Sequence, residues 1–404
     1  MTLRYKLKDS SFEVAEEPFE AEGQKFSRGT FLLQNALQNV SSADLARMVS
    51  DLGLRVHALP SMPAIKTHPA KAARIAILHT WASTQNEGWW RLAFDQAEIP
   101  YSYISTQDVA KDGDLRSKYD AVLFPPVGRG AGQALISGMP MWGNPLPWKT
   151  TPETPNLGKP DSTDDIRPGL GWTGLANLQK FVREGGLLIG SMDTADLAVT
   201  YDFAPGVSIN RPQRFKSTGS VLRSKFTDKS SPIAYGYGDN LSVYCFDGPI
   251  FSVGNTAGGR GGRRRSPEDR DRPTGRGTLD DPDIPQGRPA AEIPEEPTAE
   301  PWQAVPLTDE QRRNGIYVIP PQFRPRVILR YGDSRDLLVS GLLDGGAEIA
   351  QRPAVVDIPV EKGHVVLFSI NPVWRGETQG SYFLVFNAIL NFDNLNAGRK
   401  LDEK

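Results

Sequence analysis

The sequence predicts a doubly wound α/β fold with β-rich additions, and three observations carry that prediction. Between residues 74 and 200, short and nearly unbroken apolar runs alternate with helix-length segments, the mark of a parallel sheet buried on both faces. After Tyr201 the pattern turns to β-type runs. Near the end, the apolar run Gly363-His-Val-Val-Leu-Phe-Ser-Ile precedes helical spacing over Tyr382–Leu390, a last strand and helix that complete the sheet. With 404 residues, 39% of them hydrophobic, the chain has enough apolar material for one large core or two smaller ones.

In chain order, Leu3, Tyr5 and Leu7 alternate and read as a strand that starts within a few residues of Met1. So abrupt a start makes residues 1–70 a mixed α/β leader, expected to be the tail of a preceding domain. Ser42 suits a helix N-cap and Gly53 its stop. Strands are expected at 74–79, 101–105, 119–125 and 186–190, and helices over 88–97 and 175–183 and near Thr194. Residues 241–246 and 250–253 read as strands. No aromatic residue occurs from 255 to 301, where a Gly/Arg-rich stretch precedes an acidic, Pro-rich one. Such a composition buries too little apolar surface to offset chain entropy, so 255–305 is expected to be a disordered insertion within a domain of 71–254 plus 306–397. Its basic half is expected to pair with its acidic half or to stay solvated.

The 46 basic and 48 acidic residues nearly cancel, which gives no nucleic-acid footprint. A single cysteine, Cys245, excludes an internal disulfide and any multi-cysteine metal site; it reads as a core thiol. No membrane span and no export signal are visible, and localisation stays open.

Three stretches carry a resemblance: Ile75-Ala-Ile-Leu-His-Thr-Trp, Gly185-Gly-Leu-Leu-Ile-Gly-Ser-Met-Asp-Thr-Ala and Val365-Val-Leu-Phe-Ser-Ile-Asn-Pro-Val-Trp-Arg-Gly. In this order and spacing they resemble the class I glutamine amidotransferase-like fold, which implies a flavodoxin-like parallel sheet. Thr84-Gln-Asn-Glu-Gly-Trp-Trp, Met139-Pro-Met-Trp-Gly-Asn-Pro-Leu-Pro-Trp, Asp164-Asp-Ile-Arg-Pro-Gly-Leu-Gly-Trp and Ser231-Pro-Ile-Ala-Tyr-Gly-Tyr-Gly look like the C-terminal region of bacterial zinc carboxypeptidase-like proteins. That likeness implies a metallocarboxypeptidase parent whose peptidase domain is the partner of this region, with zinc held there and export of the parent, secreted or periplasmic. None of the four histidines has a glutamate three residues later, so no cofactor is expected in this chain.

An amidotransferase of this class places a cysteine on a strand-to-helix elbow and takes its base and carboxylate from a His-Pro-Glu stretch. Matched by position, the elbow offers Ser191, and Asn371-Pro-Val373 replaces the later motif. A non-catalytic module is the expected result. The alternatives are a serine hydrolase using Ser191, with His79 and Glu87 rewired as partners, and a purely structural domain with an empty cleft; Ser191 as a helix cap is the plain reading of that residue. Gly128-Arg-Gly-Ala-Gly132 lacks Gly-x-Gly-x-x-Gly spacing and reads as a loop. Open parallel sheets bind ligands beyond the carboxyl ends of their strands. Seven of the eight tryptophans, Trp81, Trp89, Trp90, Trp142, Trp148, Trp172 and Trp374, follow such strands, with Glu87, Asp193, Arg375 and Glu377 beside them. They are expected either to form a rim for a peptide or saccharide or to pin loops to the sheet.

Overall fold

Successive side chains of an extended chain point to opposite faces, so a run with no polar position is buried only between two layers. The computed structural model describes residues 1–34, 40–81, 83–128, 132–257 and 308–401. In it, Ile75–His79 (β1) sends Ile75 and Ile77 into one apolar cluster and Ala76 and Leu78 into the other. The same division follows Ser102–Ser105 (β2), in Ala121–Phe124 (β3) and Leu187–Ser191 (β4), where Leu123 and Ile189 face one way and Val122 and Leu188 the other. The later strands of the sheet are Lys216–Phe226 (β5), Asn240–Phe246 (β6), Arg326–Tyr331 (β7), Pro353–Val360 (β8) and Gly363–Phe368 (β9).

The strands lie in the order β2-β1-β3-β4-β9-β8-β7-β5-β6, and two short strands, Leu338–Ser340 and Leu343–Asp344, also pair with β5. The first five run parallel and the rest pair antiparallel. The parallel part thus has the flavodoxin-like order, with the late strand β9 in fifth place, and its direction of progression reverses between β1 and β3. One face is covered by Gln85–Gln96 (α1), through Trp90 and Phe94, and by the C-terminal helix Tyr382–Leu390. The other carries Thr106–Lys111 (α2), Gly171–Arg183 (α3) and Asp193–Thr200 (α4), through Val109, Leu178, Phe181 and Ala195. Helices on both faces make the parallel half doubly wound. The antiparallel half comprises the β-rich additions.

The N-terminus departs from expectation: Thr2–Lys6 is a helix, not a strand. Leu3 and Leu7 are also four residues apart, which a helix satisfies equally well, and five residues cannot distinguish the two periods. Leu7 is buried with Phe12, Val14, Ala70 and Tyr235, while Met1 and Tyr5 pack on the main core. The Arg4 side chain donates to the carbonyls of Ala70 and Leu7, and the Tyr5 hydroxyl to that of Ala73. The rest of the leader holds a three-stranded antiparallel sheet of Phe31–Leu33, Phe12–Ala15 and Thr67–Pro69, a hairpin of Phe19–Ala21 and Gln24–Phe26, and the helix Ser42–Asp51. His68 of this sheet lies 2.8 Å from Asn391 Oδ1, at the end of the C-terminal helix.

Of the segment expected to be a disordered insertion, 255–305, residues 258–305 lie outside the described residues, while its first residues are ordered by strand pairing. Thr256–Ala257 pairs with Tyr317–Val318 on its far side. Cys245 is fully buried, and burial pushes its thiol up to about 12. Among the described residues no helix is long and apolar enough to cross a membrane.

Candidate functional site

Strand β4 ends at Ser191 and helix α4 starts at Asp193, so a single residue makes the turn. That residue, Met192, has φ 57° and ψ −117°. A side chain in this left-handed region costs about 1–3 kcal/mol and persists only where the surroundings hold it. A strained strand-to-helix turn of this kind is what exposes a nucleophile in enzymes that use an elbow. The strained residue of the turn is therefore Met192 and not Ser191, one residue beyond the position the sequence singles out, which a backbone angle reveals and a sequence does not. The sulfur of Met192 packs over Gly248, where a Cβ would lie 2.9 Å from Sδ and 2.4 Å from the Ser369 carbonyl.

Ser191 is fully buried, and its hydroxyl donates to the Ile370 carbonyl at 2.7 Å. It does not cap α4 either, since that helix has no side-chain cap. The Ser191 amide donates to Thr194 Oγ1, which in turn donates to the Phe124 carbonyl, so the elbow is bonded to both neighbouring strands.

Asp193 turns its carboxylate back across the elbow. It accepts from the amides of Val127 at 3.1 and 3.2 Å and of Gly128 at 2.9 Å, in the loop after β3. Backbone donors beside an elbow are the groups that would hold an oxyanion in acyl transfer, and here a side chain occupies them. Burial outweighs the amide bonds and pushes the Asp193 carboxyl up to about 6.

The remaining expected catalytic positions do not assemble. Asn371 accepts from Trp90 Nε1 at 3.2 Å and donates to Asn86 at 3.3 Å, and Val373 is core. His79 lies 2.8 Å from Asp161 through Nε2 and 3.2 Å from the Thr80 carbonyl through Nδ1, with its ring stacked on Tyr103. Glu87 accepts from the Tyr103 hydroxyl at 2.7 Å, and burial raises its carboxyl above the ordinary value. The Ser191 hydroxyl, the His79 ring nitrogens and one Glu87 carboxylate oxygen are thus bonded to other groups and not to one another, while Glu87 Oε2 is buried without a hydrogen-bond partner. Residues 129–131 of the glycine loop lie outside the described residues.

The tryptophans fall into separate groups. Trp89 meets Trp374 at 6.3 Å, and Trp374 stacks on Tyr244 at 6.0 Å. The Arg375 guanidinium lies over both indoles, and exposed Glu377 bridges back to Trp374. Trp81 packs edge-on against His79, Trp90 is core, and Trp172 lies by Tyr201. Trp142 and Trp148 belong to the long loop before α3; Trp142 is 86% exposed and Trp148 is bridged to Thr163. That loop is tied down by the Asp161 contact to His79 and by Gln107, which donates to the Asp165 carbonyl, and is closed on itself by Arg167, which donates to the Trp142 carbonyl.

A cavity of about 790 Å³ opens beside Met192, at the carboxyl edge of the parallel strands. Its lining includes Asp193 and Trp374, which the sequence singles out, and Asp196, Asn210, Arg211 and Tyr244, which it does not. Gly190, two residues before the turn, is the one sequence signal that could locate Met192. Nothing in the sequence distinguishes Tyr244 or Asn210 from other strand residues. Among the described residues no group of three or more His, Cys, Asp or Glu side chains could hold a metal ion, so these residues do not fit the zinc site of a carboxypeptidase.

No protein-family model matches the chain, and no curated protein matches it. Among solved structures, it is similar to a ThuA-like protein from Bacteroides uniformis at 9% identity, covering 83% of this chain and 97% of that one with a TM-score of 0.37. A GMP synthase subunit from Thermoplasma acidophilum gives 8% identity, 78% and 92% coverage and a TM-score of 0.35. A β-galactosidase from Bacillus circulans gives 9% identity and a TM-score of 0.34, covering 80% of this chain and 31% of that one. Likeness at this level assigns no family, and the fold class rests on the strand order of the sheet itself.

Proposed function

We propose that this chain is a ligand-binding accessory module on a class I glutamine amidotransferase-like scaffold, without acyl-transfer chemistry of its own, working beside a zinc metallocarboxypeptidase domain. The observation that carries the reading is the elbow, where methionine holds the strained position and the Asp193 carboxylate takes up the neighbouring amides. Acyl transfer needs a nucleophile with a removable proton, a base and free donors for the developing charge. A thioether has no such proton, and an asparagine at 371 cannot act as the base. The binding part of the reading is supported by the cavity at the same edge, whose volume suits a small ligand. The peptidase partner is supported by the sequence segments that resemble carboxypeptidase-like proteins; a neighbouring or upstream reading frame with a His-x-x-Glu domain is its test.

Purified protein is expected to show no turnover of p-nitrophenyl acetate, glutamine or C-terminal amino-acid substrates above buffer. A rate that disappears with Ser191→Ala would replace this reading with that of a serine hydrolase. EDTA is expected to leave the melting temperature unchanged, and a zinc-dependent loss on chelation would contradict it.

A further inference from the structure

The groups around the cavity restrict what it can hold. Tyr244 and Trp374 present an aromatic wall, their planes inclined by 20°. The turn that carries Trp374 holds two non-glycine residues in the left-handed region, Arg375 at φ 48° and Thr378 at φ 45°, and is closed by the Glu377 amide donating to the Trp374 carbonyl at 2.8 Å. Residues held in this way are over-determined by their surroundings, so the indole is fixed in place, with Trp89 and Arg375 against it. The rest of the lining mixes apolar side chains, among them Val199, Val207, Ile209 and Phe246, with polar groups of uneven charge: Asp193, Asp196 and Asp247 against the single guanidinium of Arg211, with amide groups from Asn210 and Asn371.

A pyranose presents apolar C–H faces that pack on aromatic rings and a rim of hydroxyls that pair with carboxylates and amides. Three carboxylates against one guanidinium repel an acidic ligand. We propose that the cavity binds a non-acidic saccharide, with a sugar face on Trp374 and Tyr244 and hydroxyls on Asp196, Asn210 and Asn371. The proposal rests on the ligand-binding reading above and narrows its ligand class.

The test is titration of the full chain, followed by tryptophan fluorescence and calorimetry, with N-acetylglucosamine oligomers, maltotriose, oligogalacturonate and short peptides. The neutral oligosaccharides are expected to shift the emission and the acidic one to bind at least about tenfold more weakly. Trp374→Ala is expected to lower affinity about tenfold, with circular dichroism confirming the fold. Asp196→Asn, at a half-buried position, is expected to narrow the gap between neutral and acidic ligands. The proposal is overturned if oligogalacturonate binds as well as the neutral sugars, if only peptides bind, if nothing in the panel binds, or if both variants leave affinity and preference intact. Turnover of the p-nitrophenyl ester with the sugar preference intact would remove the non-catalytic reading and leave saccharide binding standing. Absence of both turnover and sugar preference would do the reverse.

Discussion

Asp357→Ala is expected to destabilise the fold by about 3–5 kcal/mol, a large part of the stability of an ordinary domain. Asp357 lies on β8 and is fully buried. One carboxylate oxygen meets His364 Nδ1 at 2.6 Å and the other accepts from the Arg399 guanidinium at 3.1 Å. Both partners are themselves nearly buried, with side chains 6% and 9% exposed, so removing the carboxylate leaves two donors facing each other without an acceptor. Burial alone pushes the Asp357 carboxyl up, but the charge and hydrogen bond of His364, together with Arg399, outweigh it and hold the group below the usual carboxylate range. The folded state therefore releases this proton at lower pH than the unfolded chain. The contribution is fully present above the unfolded value near 3.9 and is lost as pH falls through the lower folded value. Urea melts of the natural protein and the variant, taken from neutral pH down to about 3, should show the gap closing on the acid side. A gap below about 1 kcal/mol at neutral pH would mean that the pair contributes no more than a surface bridge.

The second expected result is a gain: Asp193→Asn should stabilise the protein at neutral pH by on the order of 2 kcal/mol. With its carboxyl pushed up to about 6 by burial, Asp193 keeps its proton in the folded state after the unfolded chain has lost it. Below the unfolded value near 3.9 both states are neutral; as pH rises towards 6 stability falls, and beyond that it stays low. Asparagine removes this slope. Its single side-chain oxygen can stand where one carboxylate oxygen already accepts from both Val127 and Gly128, at 3.2 and 2.9 Å. Thermal melts between about pH 4 and pH 8 would decide the matter, and a variant with the same slope as the natural protein would show that Asp193 is not the group responsible. Because the residue lines the cavity, an ionisable side chain that weakens the fold is consistent with a role in what the cavity holds.

The parallel half of the fold is legible in the sequence because burial on both faces leaves most of its strands as runs of apolar residues with few polar positions. Ile75, Ala76, Ile77 and Leu78 admit hardly any other arrangement. The Tyr382–Leu390 helix shows itself through six buried apolar residues at helical spacing. Asn371 and Val373 stand where the motif that the sequence resembles has histidine and glutamate, and that too is read from the sequence. The five residues at the N-terminus are ambiguous, because helical and extended periods coincide over so short a stretch and the packing of Met1 and Tyr5 on the main core selects the helix. The sequence places the elbow one residue early, since side-chain chemistry suggests Ser191 while the turn is defined by the φ of Met192. The Asp193 cradle, the Asn371 bond to Trp90 and the Tyr244–Trp374 wall join residues 65 to 281 positions apart, or two separate strand ends. Local pattern fixes which segments become strands and helices. Which side chains meet at their ends is decided by the order of the strands in the sheet and by loop backbone angles, and both are properties of the folded chain as a whole.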